Sequence, residues 1–501
     1  MTTAAVTAHV EIRRGSYVDS VTLLQVSRDL ATVTGVSAAQ VAMATELNLD
    51  VLRGMGFEIP KDAGPNDMVL ALKTDSEDAL KAALAEVDAL LHAAAAGSGT
   101  GLAGGEPEPR SLRTAAGRTE PSPTLALVSV PGPHAFAEAM SALRAGLSVM
   151  VFSDNVPVAQ EVRLKDEAAQ RGLLVMGPDC GTAVVGGAGL GFANAVRPGP
   201  VGLVAASGTG AQQLMCLLDG QGVGISACLG VGGRDLSGEV RGRSSRRALE
   251  LLDADPATEL IVVVSKPPEP SVGDEITSYA QSLATPVVLA LLGGGRDDLT
   301  AVAQRTVEQL GRTWAALPAW PQDQAGSGGA LRGLFAGGTL CDEAMLIAAE
   351  TLGEVRSNIP LRPEWALGAD LRADGTVMID FGDDALTQGR AHPMIDQRSR
   401  VERIAVEAAD PTCGVLLLDV VLGHGAHPNP ASELAPALAD ARRAASAAGR
   451  DLPVVISLCA TESDPQGLQR QAEELHAAGA AVYLSNAEAA RAAVRLAGGA
   501  A

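Results

Sequence analysis

The feature that most constrains this fold is a series of short, nearly continuous apolar runs that recur between helix-like segments from about residue 124 onward. The runs read LALVSV, LSVMVF, LLVM, VGLVAA, ISACLG, LIVVV and PVVLAL. Strands that are apolar on both sides are typical of parallel sheets covered by helices on both faces. Hydrophobic residues make up 47% of the 501 residues but aromatic residues only 2%, so the cores must consist mainly of Ala, Val and Leu. The sequence therefore predicts an α/β protein with Rossmann-like and flavodoxin-like parallel sheets.

Part of this pattern occurs twice. The segment LVAASGTGAQQLM at Leu203–Met215 aligns with GLFAGGTLCDEAM at Gly333–Met345. An Asp-Pro pair then precedes an apolar strand in each copy, at 255–256 and 410–411, and a Pro-Val-Val strand start follows in each. Three matches in the same order at similar spacing indicate a duplicated flavodoxin-like unit.

Two stretches rich in Gly, Ser, Pro and charge lack any periodicity and are interpreted as linkers, at 93–123 and 320–329. The first separates a short N-terminal piece from the apolar runs. The predicted domains are a small α+β domain at 7–91, a truncated Rossmann-like domain at 124–197, and flavodoxin-like domains at 198–318 and 331–501. Within the small domain, strands are predicted at 8–12 and 67–73 and helices at 18–32, 46–55 and 76–91.

The charge of the chain excludes one class of partner. The formal net charge is −21, which opposes the basic field that a nucleic-acid backbone requires. A small anionic substrate remains compatible with it, because backbone N–H groups can bind a phosphate locally. Six scattered cysteines without a C-x-x-C pair, the lack of an apolar leader near the start and the lack of a membrane-length apolar run predict a cytoplasmic protein without membrane contact.

The duplicated strand–Gly-Thr–helix turns are the leading candidate sites. They are Ser207-Gly208-Thr209-Gly210 and Gly337-Gly338-Thr339. Glycine lets the backbone approach a ligand, while the Thr hydroxyl and the first N–H groups of the helix can bind phosphate. Alternatively, Ser207 and Thr209 simply cap their helix. Duplication and a position after parallel strands favour the ligand site.

Two further loops are weaker candidates. Gly232 and Gly233, in the turn GVGGRD after the strand ISACLG, could admit a phosphate or thioester. His392 lies beside Arg390 in the polar loop GRAHPMID. We interpret this pair as a candidate catalytic group that polarises a carbonyl or transfers a proton, against the alternative of an ordinary polar loop.

Other motifs are absent or more easily explained by packing. Cys180 has no histidine close in sequence and is predicted to be a buried thiol. The spacing of His424 and His427 in a Gly-rich loop is weak support for a metal, so no metal site and no firmly bound cofactor are predicted. The sequence contains no G-x-x-x-x-G-K-[ST], G-x-S-x-G or H-E-x-x-H motif. A nucleotide, if one is used, would require another polypeptide.

Several stretches resemble the FdrA-type proteins, which are related to the α subunit of succinyl-CoA synthetase. They are SVPGPHAFAEAMSALRAGL, LKDEAAQRGLLVMGPDCG, GPVGLVAASGTGAQQL, GVGGRDLSGE, LLDADPATELIVVV, GGTLCDEAM, GRAHPMID and LLLDVVLGHGAHP. The resemblance covers nearly the whole chain and implies a CoA-binding-like domain at 124–197 followed by two CoA-ligase-like domains. It also implies that Ser207, Gly208 and Thr209 bind phosphate.

Two departures from the synthetase pattern change the implied chemistry. The place of the first CoA loop, before Leu125, is a linker here, which argues against CoA binding. The place of the phosphorylated histidine reads Leu292-Gly293-Gly294-Gly295-Arg296 and has no histidine. The FdrA resemblance implies a subunit of a carbamoyl or acyl transferase that uses phosphate or carbamoyl phosphate, similar to oxamate carbamoyltransferase of purine catabolism, with other subunits as partners. The alternatives are a subunit of an NDP-forming acyl-CoA synthetase and a non-catalytic scaffold or sensor.

Overall fold

A computed structural model describes residues 7–16, 18, 20–60, 63–97, 109, 111–118, 123–326, 328–387 and 390–498. The chain divides into two compact units. One comprises Met1–Ala115 and Thr387–Ala391, and the other comprises Ala116–Leu386 and His392–Ala501. Most of the predicted linker at 93–123 lies outside the described residues. Within the part that is described, α3 continues to Gly97 and a short helix, α4, occupies Leu112–Ala116.

The first unit has a three-stranded antiparallel sheet with helices. Its elements are β1 (Thr7–Arg13), α1 (Ser20–Ala31), β2 (Val36–Met43), α2 (Glu46–Gly54), β3 (Met68–Thr74) and α3 (Glu77–Gly97). The strand order is β1-β3-β2, and the central strand β3 is apolar and buried on both faces. The small α+β domain is therefore confirmed. Strand β2 is not predicted from the sequence, because its VSAAQVAM sequence is rich in small and polar residues with weak strand propensity.

The strands of the rest of the chain are β4 (Leu125–Val128), β5 (Ser148–Val151), β6 (Val175–Met176), β7 (Thr182–Val185), β8 (Ala188–Gly191), β9 (Pro198–Ala206), β10 (Ile225–Gly230), β11 (Leu260–Ser265), β12 (Val287–Leu291), β13 (Ala319–Trp320), β14 (Ala330–Phe335), β15 (Val355–Ser357), β16 (Thr376–Asp380), β17 (Cys413–Val421), β18 (Val454–Cys459) and β19 (Ala480–Tyr483). The helices are α5 (Gly132–Arg144), α6 (Val158–Gln170), α7 (Gly208–Gly220), α8 (Arg243–Asp253), α9 (Pro270–Ala280), α10 (Leu299–Gln309), α11 (Gly338–Leu352), α12 (Asp384–Thr387), α13 (Arg398–Ala409), α14 (Ala431–Ala447), α15 (Leu468–Ala477) and α16 (Asn486–Ala497). A short 3-10 turn occupies Pro363–Trp365.

The predicted boundary near residue 197 does not coincide with the division between the first two sheets of the second unit. Strands β4, β5 and β6 form a small parallel sheet. Strands β7 and β8, however, join the next sheet, whose order is β12-β11-β9-β10-β7-β8. The division between sheets therefore falls between β6 and β7. The Gly-rich hairpin of β7 and β8 gave no strand signal in the sequence because it lacks a long apolar run.

The third sheet repeats the parallel arrangement, in the order β13-β19-β18-β17-β14-β16-β15. Its central strand β17 is buried along all nine residues, as expected of a strand covered on both faces. In the first large sheet, β10 lies on one side of β9 and the next strand along the chain, β11, lies on the other side. In the second, β15 and β16 lie on one side of β14 and β17 lies on the other. The carboxyl ends of β9 and β14 therefore lie at topological switch points, where ligands bind in open α/β sheets.

One hydrophobic core cluster is shared by the two halves of the second unit, and each half also has a core cluster of its own. The shared cluster contains Leu214 and Met215 of α7 together with Leu340 and Met345 of α11. A hydrogen bond also joins the halves, since the N–H of Leu299 in the first half donates to the buried carboxylate of Glu343 in the second, which also accepts from the amide of Asn486. The α/β class with tandem parallel sheets is thus confirmed. Within the described residues, no helix combines the length and apolar character needed to cross a membrane.

Candidate functional site

The two duplicated turns meet each other. Ser207 directly follows β9 and caps α7, accepting a hydrogen bond from the Gly210 N–H at 3.0 Å. The Ser207 hydroxyl also forms a 2.6 Å hydrogen bond with the hydroxyl of Thr339, in the first turn of α11. The N-termini of α7 and α11 therefore face a common point, and their dipoles make that point attractive to an anion.

Glycine is required for this approach. A Cβ atom at Gly337 would lie 2.8 Å from the Thr209 methyl carbon, and one at Gly210 would lie 2.5 Å from Ser207 Oγ. Side chains at these positions would push the turns apart. Gly208, Thr209 and Gly338 are partly exposed, and no described residue accepts a hydrogen bond from their N–H groups. These three positions form the open part of the site.

A carboxylate already occupies part of the second turn. Asp419 of β17 accepts hydrogen bonds from the N–H groups of Ala336 and Gly337 at 2.7 and 2.8 Å, and Arg400 binds it at 2.8 Å. Burial raises the pKa of Asp419, although Arg400 and these N–H groups act in the opposite direction. A phosphate at this turn would therefore contact Gly338 and Thr339 rather than the N–H of Gly337.

A lysine and two carboxyl groups, none of which we identified from the sequence, adjoin the start of α11. Lys266 follows β11, Asp380 ends β16 and Asp342 lies one turn into α11. A Cβ atom at Gly338 would lie 2.9 Å from Lys266 Nζ and 2.7 Å from Asp380 Oδ2. Lys266 Nζ is 3.9 Å from the Asp342 carboxylate. We name Lys266, Asp342 and Asp380 the α11 charge cluster.

The pKa values of all three residues of the α11 charge cluster are shifted from their ordinary values. Burial raises the pKa of Asp342 to about 6 despite the opposing charge of Lys266. Burial also raises the pKa of Asp380 to about 7, against the effects of Lys266 and of the Gly382 N–H. For Lys266, desolvation lowers the pKa, but Asp342 and Asp380 outweigh it and the net shift is upward. Near pH 7 the cluster therefore holds a charged ammonium beside carboxyl groups that exchange protons readily.

The glycine-rich loop after β10 packs against another loop. A Cβ atom at Gly232 would lie 2.5 Å from the Pro178 carbonyl oxygen, and one at Gly233 would lie 3.9 Å from Asp179 Oδ2. Arg234 is bound to helix α6 by Glu161 at 3.0 Å and to the Val156 carbonyl at 2.8 Å. The loop therefore lies close to the Asp179 carboxylate, and its Arg234 is already bound to Glu161 and to the Val156 carbonyl. Phosphate binding by Gly232 and Gly233 stays a prediction.

His392 is close to the α11 charge cluster, whereas Arg390 has an exposed side chain. A Cβ atom at Gly382 would lie 2.8 Å from His392 Nε2 and 3.1 Å from Asp380 Oδ1. Burial, followed by the charge of Arg400, lowers the pKa of His392 to about 4. Its Nδ1 accepts a hydrogen bond from the Met394 N–H, so the neutral ring carries its proton on Nε2. The ring can donate to a substrate, and a catalytic role for the two residues stays a prediction.

The remaining candidates from the sequence lie elsewhere. Burial raises the pKa of Cys180 well above its ordinary value. His427 Nδ1 accepts from the Asn429 N–H, so its Nε2–H donates to Glu433 at 3.0 Å. In the described part of the chain, no group of three or more His, Cys, Asp or Glu side chains is arranged to bind a metal.

The α11 charge cluster had one usable signal in the sequence. Lys266 and Asp380 are polar residues placed directly at the ends of the apolar strands LIVVVS and TVMID. The carboxyl ends of parallel strands share one edge of a sheet, so polar residues there are candidates for a site. Asp342 gave no such signal, because it lies within a helix.

Comparisons with known proteins match the two parts of this architecture. A family profile described as CoA-ligase matches residues 334–496, and one described as AllF, heavy metal-associated domain, matches residues 5–108. The latter range contains no cysteine. The α subunit 2 of succinate–CoA ligase [ADP-forming] from Archaeoglobus fulgidus is 31% identical over 28% of this chain and 49% of its own length. The chain thus spans about half of that relative. The tandem parallel sheets and the ligase profile define a protein with a CoA-ligase-like fold.

A second relative matches almost from end to end. The protein YahF of Escherichia coli (strain K12) is 37% identical over 94% of this chain and 95% of its own length. The chain belongs to the YahF family. Among solved structures, the dinucleotide-forming acetyl-coenzyme A synthetase 1 of Ca. Korarchaeum cryptofilum, in complex with phosphate and ADP, covers 80% of this chain at 16% identity with a TM-score of 0.29. The more specific FdrA assignment stays a prediction.

Proposed function

We propose that this chain catalyses the attack of phosphate on an acyl carbonyl, with the phosphate bound between the starts of α7 and α11. The observation that carries the proposal is the Ser207–Thr339 hydroxyl pair, which brings two helix N-termini to one point. Two converging dipoles and the N–H groups of Gly208, Thr209 and Gly338 suit a dianion. The CoA-ligase-like fold supports acyl transfer as the class of reaction.

The chemistry follows from the groups at hand. A phosphate oxygen forms a bond to the acyl carbon, and the bond from that carbon to the leaving group breaks. The leaving atom then takes a proton, which Asp380 can supply because its pKa is raised to about 7. The Nε2–H of His392, which lies near Asp380 across Gly382, is a donor that can stabilise an oxyanion.

The favoured leaving group is a thiol, so that the reaction converts an acyl thioester and phosphate into an acyl phosphate and a free thiol. The match to the CoA-ligase profile and to the succinate–CoA ligase α subunit supports this candidate. Because the sequence has no Walker motif, a nucleotide step would fall to a partner subunit.

The second candidate is an amide nitrogen as leaving group, which makes carbamoyl phosphate from an N-carbamoyl substrate. One observation favours it. The loop after β12 lacks a histidine, and His392 has its Nδ1 engaged by backbone. Phosphorolysis of an N-carbamoyl substrate fits these two features, because it needs neither a phosphohistidine nor CoA.

The test uses the purified full-length chain with inorganic phosphate and two substrates in parallel, acetyl-CoA and oxalurate. Acyl phosphate is trapped as its hydroxamate, the free thiol is titrated, and carbamoyl phosphate is measured separately. Thioester phosphorolysis supports the first candidate and carbamoyl phosphate supports the second. If neither product forms alone or after adding the polypeptides encoded beside it, the enzymatic proposal is wrong and a scaffold or sensor role replaces it.

Thr209→Val is the matched variant for this assay. It removes a hydroxyl from the open part of the site but keeps the shape of the side chain. We expect product formation to fall about tenfold or more, in line with the loss of one hydrogen bond to a charged group. Thr300→Val, on α10, is the control and should retain activity.

A further inference from the structure

The Lys266 ammonium has no hydrogen-bond partner that the described residues provide, although three donors are available on it. Its side chain is 40% exposed, so the ammonium can reach a ligand. The closest counter-ion, Asp342, lies at 3.9 Å, beyond hydrogen-bond distance. Attraction to the Asp342 carboxylate therefore holds the ammonium in place, while its N–H donors remain available to a ligand.

The carboxyl groups beside it are also incompletely satisfied. Asp342 is only 7% exposed, and no described residue donates a hydrogen bond to it. Asp380 accepts from the Gly382 N–H through Oδ1, while Oδ2 faces Gly338. Buried carboxyl groups normally have hydrogen-bond partners. Their open acceptors and the open donors of Lys266 thus meet at Gly338, at the start of α11.

This arrangement requires glycine at position 338. Any side chain there would place its Cβ atom within 3 Å of both Lys266 Nζ and Asp380 Oδ2. With glycine, Lys266 lies directly against the backbone of the turn that also carries Thr339, whose hydroxyl contacts Ser207. The lysine of one sheet thus reaches the helix start of the other.

We infer that Lys266 is a ligand-binding residue of the anion site, whose ammonium donates to the oxygen atoms of a phosphate or acyl phosphate bound at the starts of α7 and α11. The inference rests on the proposed function for the location of the anion. It adds the cation that the backbone N–H groups alone do not supply. Asp342 and Asp380 position the ammonium toward Gly338.

Calorimetric titration with inorganic phosphate tests this role in the full-length protein. Lys266→Met should weaken phosphate binding about tenfold or more, as expected for the loss of a charge-assisted hydrogen bond. Lys266→Arg should restore most of the affinity, because it keeps the charge. Lys81→Met removes the same charge from an exposed position on α3 and should bind phosphate like the unmodified protein.

Gly338→Ala tests the same geometry without changing any charge. Its methyl group would displace Lys266, so it should also weaken phosphate binding while the protein remains folded by circular dichroism. Because the Gly338 N–H is itself a proposed phosphate contact, Lys266→Gln decides the question if Lys266→Met fails to fold, and it should weaken phosphate binding to a similar degree.

The outcomes separate the two proposals. Unchanged phosphate affinity in folded Lys266→Met, in Lys266→Gln or in Gly338→Ala overturns the role of Lys266 and leaves the proposed function intact. If the unmodified protein binds no phosphate, both are overturned. Equal weakening by Lys81→Met would also contradict the inference, because it would indicate a general charge effect.

Discussion

At the residue scale, glycines at the facing turns do more than permit unusual backbone angles. Gly210 lies on α7, where alanine would ordinarily improve helix propensity. Here a Cβ atom would lie 2.5 Å from Ser207 Oγ and 3.0 Å from the Thr339 methyl carbon. The lack of a side chain is therefore a packing requirement between the two halves.

We expect Gly210→Ala to destabilise the protein by about 1–3 kcal/mol, the usual range for an overpacked interior. Gly220→Ala, at the other end of the same helix, has no atom within 4 Å of the new methyl and should be neutral or slightly stabilising. Urea unfolding of both variants measures the difference. Equal free energies of unfolding for the two variants would contradict this expectation, because the two turns could then move apart at little cost in stability.

A second prediction at this scale concerns pH. The pKa of Asp380 rises from 3.8 to about 7 on folding, so between these values the folded state binds more protons than the unfolded state. The free energy of unfolding should therefore fall as pH rises from about 4 to 7. Asp380→Asn cannot lose a proton and should gain stability relative to the unmodified protein across this range, by up to about 4 kcal/mol.

Urea unfolding at several pH values checks this prediction. The groups that act on Asp380 are Lys266, Asp342, Asp419 and the Gly382 N–H. Parallel stability curves for the two proteins would show that Asp380 is already ionised throughout, and would remove it as a proton donor in the proposed reaction.

At the element scale, one buried ion pair joins α13, β17 and the turn before α11. The Arg400 side chain is fully buried and binds both the carboxylate and the backbone carbonyl of Asp419. Asp419 in turn fixes the N–H groups of Ala336 and Gly337. This chain of contacts sets the direction in which α11 leaves β14.

Arg400→Met should cost about 3–5 kcal/mol, because it leaves a buried charge without its partner. Arg398→Met, on the same helix, removes an exposed arginine paired with Asp396 and should change stability by at most about 1 kcal/mol. Thermal unfolding of the two variants gives the comparison. A small effect at Arg400 would indicate that Asp419 becomes protonated or hydrated without cost.

Elements with strong apolar patterns were predictable, and weakly patterned ones were not. Strands such as β11 and β17 are continuous apolar sequences, and the duplicated turns follow from internal similarity. Strand β2 and the β7–β8 hairpin are rich in small residues, so packing partners rather than propensity form them. In the site, the helix starts were predictable, and Lys266 had a signal at the end of its strand. Asp342 had none, because it lies within a helix and its contact with Lys266 joins the two halves.

At the scale of the whole second unit, the two ligase-like halves share one core cluster, although each half also has a core cluster of its own. Helices α7 and α10 of the first half pack on α11 and α16 of the second around Leu214, Leu340 and Met345. The halves are also joined by hydrogen bonds from Gln213 to the Leu484 carbonyl and from Asn194 to Asp464. Sequence boundaries between repeats are therefore not boundaries between folding units.

Residues 331–501 expressed alone would expose the apolar faces that the first half covers. We expect this fragment to bind a hydrophobic dye and to unfold without a sharp transition in urea. A fragment of residues 116–501 keeps the shared core and should unfold cooperatively. A sharp transition for the shorter fragment would show that the core cluster of the second half alone is sufficient for cooperative folding, and would contradict a requirement for the shared cluster.

The Ser207–Thr339 contact joins two copies of a duplicated unit, and this affects how the residues on its two sides can change in evolution. Two identical subunits that met in this way would carry the same residues on both sides of their axis. Here the copies are covalently joined, so each side is free to change separately: a lysine has come from one copy and two acids from the other. Fusion thus allows a symmetric meeting point to become one with a cationic side and an acidic side, at which a ligand would bind in a single orientation.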